Sequence, residues 1–126
     1  MSGNRHDVET VYHIAAAGDW PPAGAATTYA GGPVCRRDGF IHFSTRDQLP
    51  ATLARFFAGR DDLVLLAADS ARLGVALRWE AMGEGVFPHY YGTLPVALVR
   101  DLGPIRLAAD GRHLLPHLLS ATEEMR

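Results

Sequence analysis

Between Asp61-Asp62 and Asp69-Ser70 the chain runs Leu63-Val64-Leu65-Leu66-Ala67-Ala68, six residues without a polar side chain. An apolar run this short, set between turn signals, reads as a buried central strand, and the rest of the sequence has to supply its neighbours. Thr10–Ala16 reads as another strand: Val11, His13 and Ala15 point one way, and Tyr12, Ile14 and Ala16 the other. Gly18 breaks that strand, and Asp19 is placed to cap a short helix with Trp20 and Pro21 in its first turn. Thr27–Asp38 contains Gly31-Gly32-Pro33 and reads as a loop.

Gly39–Ser44 is a second strand, with Ile41 and Phe43 on the core side and Phe40, His42 and Ser44 on the other. Thr45-Arg46-Asp47-Gln48 follows as a capping box, and Leu49, Leu53, Phe56 and Phe57 continue at helical spacing as far as Gly59. Pro50 costs a hydrogen bond unless this helix starts late. Ala76–Met82 and Val86–Tyr91 form a hairpin about Gly83-Glu84-Gly85. A three-residue turn pairs Trp79 with His89 and Arg78 with Tyr90, and Pro88 invites a bulge. Leu94–Arg100 and Ile105–Ala108 are short strands around Gly103-Pro104, and the tail from Gly111 reads as helical within the limits set by Pro116. Strands and helices do not alternate regularly, so the expected fold is α+β: one domain over residues 1–126, with small mixed or antiparallel sheets and a few helices. Its core is expected at about residues 10–100, after a flexible start over 1–9 and before a C-terminal extension over 110–126.

Bulk properties exclude some classes of function. A net charge of −2 with no long run of either sign lacks the basic face that binds a nucleic-acid duplex. The single cysteine, Cys35, cannot form an internal disulfide and fits a reducing compartment. The polar stretch Met1–Thr10 is no secretory signal, and no apolar run approaches the ~18 residues of a membrane span. A cytoplasmic protein without membrane partners is expected, of unspecified oligomeric state.

Four groups of residues can carry chemistry. His42 and Ser44 share one face of a strand that enters a helix capped by Thr45, where free N–H groups attract anions. Alternatively, Ser44 and Thr45 only cap the helix and His42 is a satisfied, partly buried histidine. His13 is a lone polar residue on an apolar strand, so it either has a partner or lines a cavity. If the two strands are neighbours, His13, His42 and Ser44 line one pocket. Arg78-Trp79-Glu80 is either a surface ion pair or an oriented pocket carboxylate, with Trp79 on the other, apolar face. Phe87-Pro88-His89-Tyr90-Tyr91-Gly92 makes either a stacking wall for a flat ligand or a plain hydrophobic rim. No metal site is assigned: His113 and His117 flank Pro116 with no third ligand nearby, and His13, His42 and His89 have the composition of a zinc set but no signature spacing. Arg36 and Arg37 can lower the pKa of Cys35, but no base is placed to make it a nucleophile.

Tyr12-His13-Ile14, Trp20, Tyr29, Gly39-Phe40-Ile41-His42-Phe43-Ser44, Phe56-Phe57, Arg78-Trp79-Glu80 and Phe87-Pro88-His89-Tyr90-Tyr91-Gly92 together resemble the bacterial family called domain of unknown function 952. The resemblance spans about residues 10–100. The chain departs from it where the family often has cysteine at Phe43, glutamate at Asp38 and a Ser-Leu pair near Val34-Cys35. The resemblance implies a fold similar to the ADP-ribosyltransferases, an analogy of fold and not of activity. By that analogy NAD is a possible substrate, and no cofactor is assigned. His13 would hold a ribose, Ser44 would sit before the helix, Tyr91 would stack on nicotinamide and Glu80 would stabilise an oxocarbenium-like ribose. His42 would join Glu80 as a catalytic residue, and Thr45, Arg78 and His89 would bind ligand. The alternatives are a non-catalytic nucleotide-binding module and a protein-interaction domain.

Overall fold

A computed structural model describes residues 9–116. The expectations for residues 1–8 and for the tail beyond Pro116 lie outside them. Strand β4 (Leu63–Asp69) is the central strand that its apolar run demands, flanked by antiparallel partners on both sides. On one side lies β1 (Thr10–Ala16), paired from Thr10↔Asp69 to Ala16↔Leu63. On the other lies β8 (Val99–Leu107), and β9 (His113–Leu114) completes the sheet. β8 runs through Gly103-Pro104 as one strand. Leu65 opposes Gly103 while Leu66 opposes Asp101, so Leu102 is an extra residue in a bulge, and Gly103 takes φ of 107° there. The expected helix from Gly111 is instead, over His113–Leu114, a strand on the edge of β8.

A second sheet has the order β3–β6–β5: β3 (Ile41–His42), β6 (Gly85–Tyr90) and β5 (Leu77–Met82). The hairpin loop has two residues and not three, because Met82 pairs with Gly85 and Gly83 takes φ of 64°. That shifts the register by one: Arg78 opposes His89 and Trp79 opposes Pro88. No bulge forms at Pro88. Its carbonyl accepts from Phe43 N–H at 3.0 Å, so its missing N–H lies on the β3 side and the pairing with β5 is unbroken.

The two sheets meet at one bridge, where Tyr12 and Ser44 exchange backbone bonds of 2.8 and 2.7 Å. Side-chain alternation then carries across both sheets. On one face Val11, Ala15, Leu66, Ala68, Ile41, Phe43, Leu77 and Tyr90 pack into a core closed by Trp20, Tyr29 and Leu94. Tyr29 lies in the short strand β2 (Thr28–Tyr29), which pairs with β7 (Leu94–Pro95). On the other face Tyr12, Ile14, Leu63, Leu65, Ala67, Leu102 and Ile105 pack against Leu49 and Leu53 of the helix after β3. The result is mixed α and β with antiparallel sheets, as expected.

The helices are short. Residues 33–38 form α1 (Pro33–Asp38) and not a loop, with Pro33 in the first turn and Gly39 (φ 88°) closing it. The turn after β1 is not helical at Trp20-Pro21; Trp20 is drawn into the core instead. At the capping box, Thr45 N–H donates to Gln48 Oε1 at 2.9 Å. A 3-10 turn over Arg46–Gln48 delays α2 (Leu49–Phe56), which leaves Pro50 in its first turn and removes the cost expected there. Leu49 and Leu53 are buried and Phe57 is half-buried, but Phe56 is exposed and outside the stripe. After β4, α3 (Ser70–Leu73) leads the chain into β5.

Leu65 is completely buried in β4, whereas Val75 is 97% exposed. Leu65→Ala is expected to lower unfolding free energy by about 2–5 kcal/mol, and Val75→Ala by less than about 0.5 kcal/mol. Urea denaturation of the two variants checks this ordering.

Candidate functional site

Helix α2 covers the face of the β1–β4–β8 sheet that carries Tyr12 and Leu65. The same face of β3–β6–β5 lies beyond it and carries Phe40, His42, Glu80, Arg78 and His89. His42 and His89 are direct cross-strand partners. Their ring centroids are 5.5 Å apart with planes at 70°. Phe40 packs against both, stacked on His89 at 4.0 Å and tilted against His42 at 4.6 Å, and it also meets Tyr91 at 5.4 Å.

Each of the two imidazoles is tied to a carboxylate. His89 Nδ1–H donates to Glu80 Oε1 at 2.7 Å, and the Tyr91 hydroxyl donates to the same oxygen at 2.7 Å. These bonds, His89's first, hold the Glu80 carboxyl below its usual range, and the bond to Glu80 raises the Tyr91 phenol. The Arg78 guanidinium lies over the Tyr91 ring at 4.7 Å. His42 Nε2–H donates to Asp38 Oδ2 at 2.9 Å. Asp38 is held below its usual pKa by bonds from Arg37 and then His42. Burial lowers the His42 pKa, and the nearby His89 adds to that. With Nδ1 of His89 donating, its Nε2 is a lone pair in the neutral ring, buried and without a hydrogen-bond partner. Such an atom is costly in a core unless something outside the chain fills it.

His13 is not part of this cluster, which corrects the expected single pocket of His13, His42 and Ser44. The Tyr12–Ser44 bridge sets His13 against Phe43, at 5.7 Å between rings, on the core face opposite His42. His13 Nδ1–H donates to the backbone carbonyl of His42 at 2.6 Å, and Nε2 accepts from the Tyr29 hydroxyl at 2.8 Å. Both nitrogens are satisfied, and burial lowers its pKa to about 4. It is a core histidine. Ser44 is also buried, its hydroxyl bonded to Thr52 Oγ1 of α2 at 3.2 Å, and Thr45 serves the cap. Of the expected residues, the fold therefore gathers His42, Glu80, His89, Tyr91 and Arg78. Trp79 points away from them, but it is 43% exposed and not in an apolar interior.

Two members of the cluster were not singled out from sequence. Phe40 shares the strand face of His42, and that alternation was signal enough. Asp38, at i−4 from His42, reaches it only because α1 ends at Gly39 and turns into β3. Cys35 lies in α1, buried, and burial pushes its thiol up despite Arg36, so it is no activated nucleophile. His113 Nε2–H donates to the Arg60 carbonyl at 2.9 Å, while His117 lies outside the described residues. No helix of the described residues is long and apolar enough to cross a membrane.

A family model described as "Protein of unknown function (DUF952)" matches residues 14–102. The chain belongs to the DUF952 family. It is similar to the crystal structure of protein CC0527 from Caulobacter crescentus, at 38% identity and a TM-score of 0.79 over 88% of this chain and 98% of that one. The solution NMR structure of CC0527 is similar too, at 38% identity and a TM-score of 0.72 over 89% and 95% of the respective chains. No curated protein matches. The family's description names no activity to transfer.

His13 supplies a test of the core assignment. Its folded pKa of about 4 lies below the unfolded value of 6.5. The unfolded chain therefore binds this proton first as pH falls, and stability contributed at neutral pH is lost progressively from pH 6.5 down to about 4. The expected loss is about 3 kcal/mol. Urea unfolding across that range, beside NMR titration of the His13 ring, checks both the sign and the residue.

Proposed function

We propose that the outer face of β3–β6–β5 binds a nucleotide of the NAD or ADP-ribose type. The observation that carries this reading is the buried, unpartnered Nε2 of His89. A carboxylate-held imidazole with a spare nitrogen is arranged to receive something that the chain does not itself provide. Its surroundings suit a nucleotide. Phe40 and Tyr91 offer ring surface to a flat base, and the exposed Arg78 beside Tyr91 offers a cation to phosphate. The ADP-ribosyltransferase-like fold is part of the proposal.

Two versions differ at Glu80. In the catalytic version, Glu80 stays ionised and its second oxygen faces an oxocarbenium-like ribose, with His42 and His89 moving protons. In the binding version, Glu80 only orients His89. The two donors already on Glu80 Oε1 favour this second version.

Thermal unfolding separates these readings. Saturation with NAD or ADP-ribose at about 100 times the dissociation constant is expected to add about 2.7 kcal/mol, a rise of a few degrees. Arg78→Ala, at an exposed position, and His89→Gln are expected to lose most of that rise. No rise in the wild type overturns the nucleotide reading. If nicotinamide is released from NAD, Glu80→Gln, whose amide oxygen can still accept from His89 and Tyr91, is expected to abolish release while keeping part of the thermal shift. Unchanged release in that variant removes Glu80 from catalysis.

A further inference from the structure

The His42–His89 pair has a second property. Bonded and non-bonded residue pairs alternate along an antiparallel ladder, and Phe43 donates to Pro88 one step away. His42 and His89 are thus a non-hydrogen-bonded pair, the kind that brings side chains closest. Each ring has one N–H committed to a carboxylate, Nε2 of His42 to Asp38 and Nδ1 of His89 to Glu80. The nitrogens left over are Nδ1 of His42 and Nε2 of His89. The His89 side chain is only 4% exposed and its Nε2 has no partner. The His42 side chain is 26% exposed.

A histidine that gives one N–H to a carboxylate and keeps the other nitrogen free has the arrangement of a metal ligand with its supporting carboxylate. Here that arrangement occurs twice, on facing rings. Metal–nitrogen bonds of about 2.1 Å at a tetrahedral ion set two ligating ring centroids roughly 5 Å apart. The observed separation is 5.5 Å. We infer that His42 Nδ1 and His89 Nε2 hold one divalent first-row transition ion of the zinc type, with Asp38 and Glu80 as the supporting carboxylates.

Imidazole nitrogens favour zinc, copper or nickel over magnesium or calcium. Among the described residues no group of three His, Cys, Asp or Glu side chains converges to hold an ion. Two protein ligands leave coordination positions open, for water or for the phosphate oxygens of a bound nucleotide. Only this last step rests on the nucleotide reading; the ion site rests on the two histidines and their carboxylates.

The test is titration of metal-free full-length protein with zinc chloride, and with cobalt chloride for its visible spectrum, near neutral pH and without nucleotide. Saturation at one equivalent is expected, with the ring signals of His42 and His89 moving in NMR spectra and those of His13 unmoved. His42→Ala is expected to remove this binding. Asp38→Asn, an exposed change that preserves the ligands, is expected to weaken it tenfold or more. His113→Gln is expected to leave it unchanged. No saturable binding, binding that survives His42→Ala, or binding lost in His113→Gln overturns the site. NAD binding by a protein that takes up no zinc overturns the ion and leaves the nucleotide reading standing. Zinc binding without any nucleotide-induced thermal shift does the reverse.

Discussion

Everything about the site depends on one pair of backbone hydrogen bonds, between Tyr12 and Ser44 at 2.8 and 2.7 Å. They join the β1–β4–β8–β9 sheet to β3–β6–β5 and fix which residues of the two share a face. Side chains alternate with period two, so a slip of one residue here would exchange core and surface along β3. Ile41 and Phe43 would turn outward, and Phe40 and His42 would turn into the core. The apolar pattern forbids that: Ile41 and Phe43 are 1% and 2% exposed in a cluster with Leu66 and Tyr90. Burial of those two side chains, at about 1.5–3 kcal/mol each, locks the register that presents His42 to the outside.

The same register gives His13 on β1 and His89 on β6 opposite chemistry. His13 and His89 are both nearly inaccessible, at 5% and 3%. His13 sits beneath the sheet, where a carbonyl and a tyrosine hydroxyl occupy both nitrogens. That arrangement is suited to stability and cannot accept anything further. His89 sits above, with one nitrogen bound and one free. Burial alone does not separate the two histidines; the count of satisfied nitrogens does.

This explains what could be read from the sequence and what could not. β1 and β4 were legible because their signal is local: alternation in one, an unbroken apolar run in the other. The capping box was legible for the same reason. The hairpin existed as read, but its register turned on whether Gly85 belongs to the loop or the strand, and one residue moved Arg78 from Tyr90 to His89. Helix α1 was missed because six residues between Gly32 and Gly39 carry too little periodicity to separate a helix from a loop. The partition of the histidines was not legible at all. It rests on a pairing between residues 12 and 44, which no local pattern encodes.

Glu80 shows how such geometry redirects a chemical argument. As a carboxylate on a strand beside aromatic residues, it had the makings of a catalytic group facing substrate. In the structure Oε1 is shared by His89 and Tyr91, and Arg78 rests over the same Tyr91 ring. The carboxylate is thus the anchor of a chain of contacts from Arg78 through Tyr91 to His89, continued by Phe40 to His42. Removing its charge would loosen the Nδ1 proton of His89 and with it the orientation of Nε2. In the nucleotide reading proposed above, the position that meets the ligand is then the nitrogen that Glu80 holds in place, with the carboxylate acting through it.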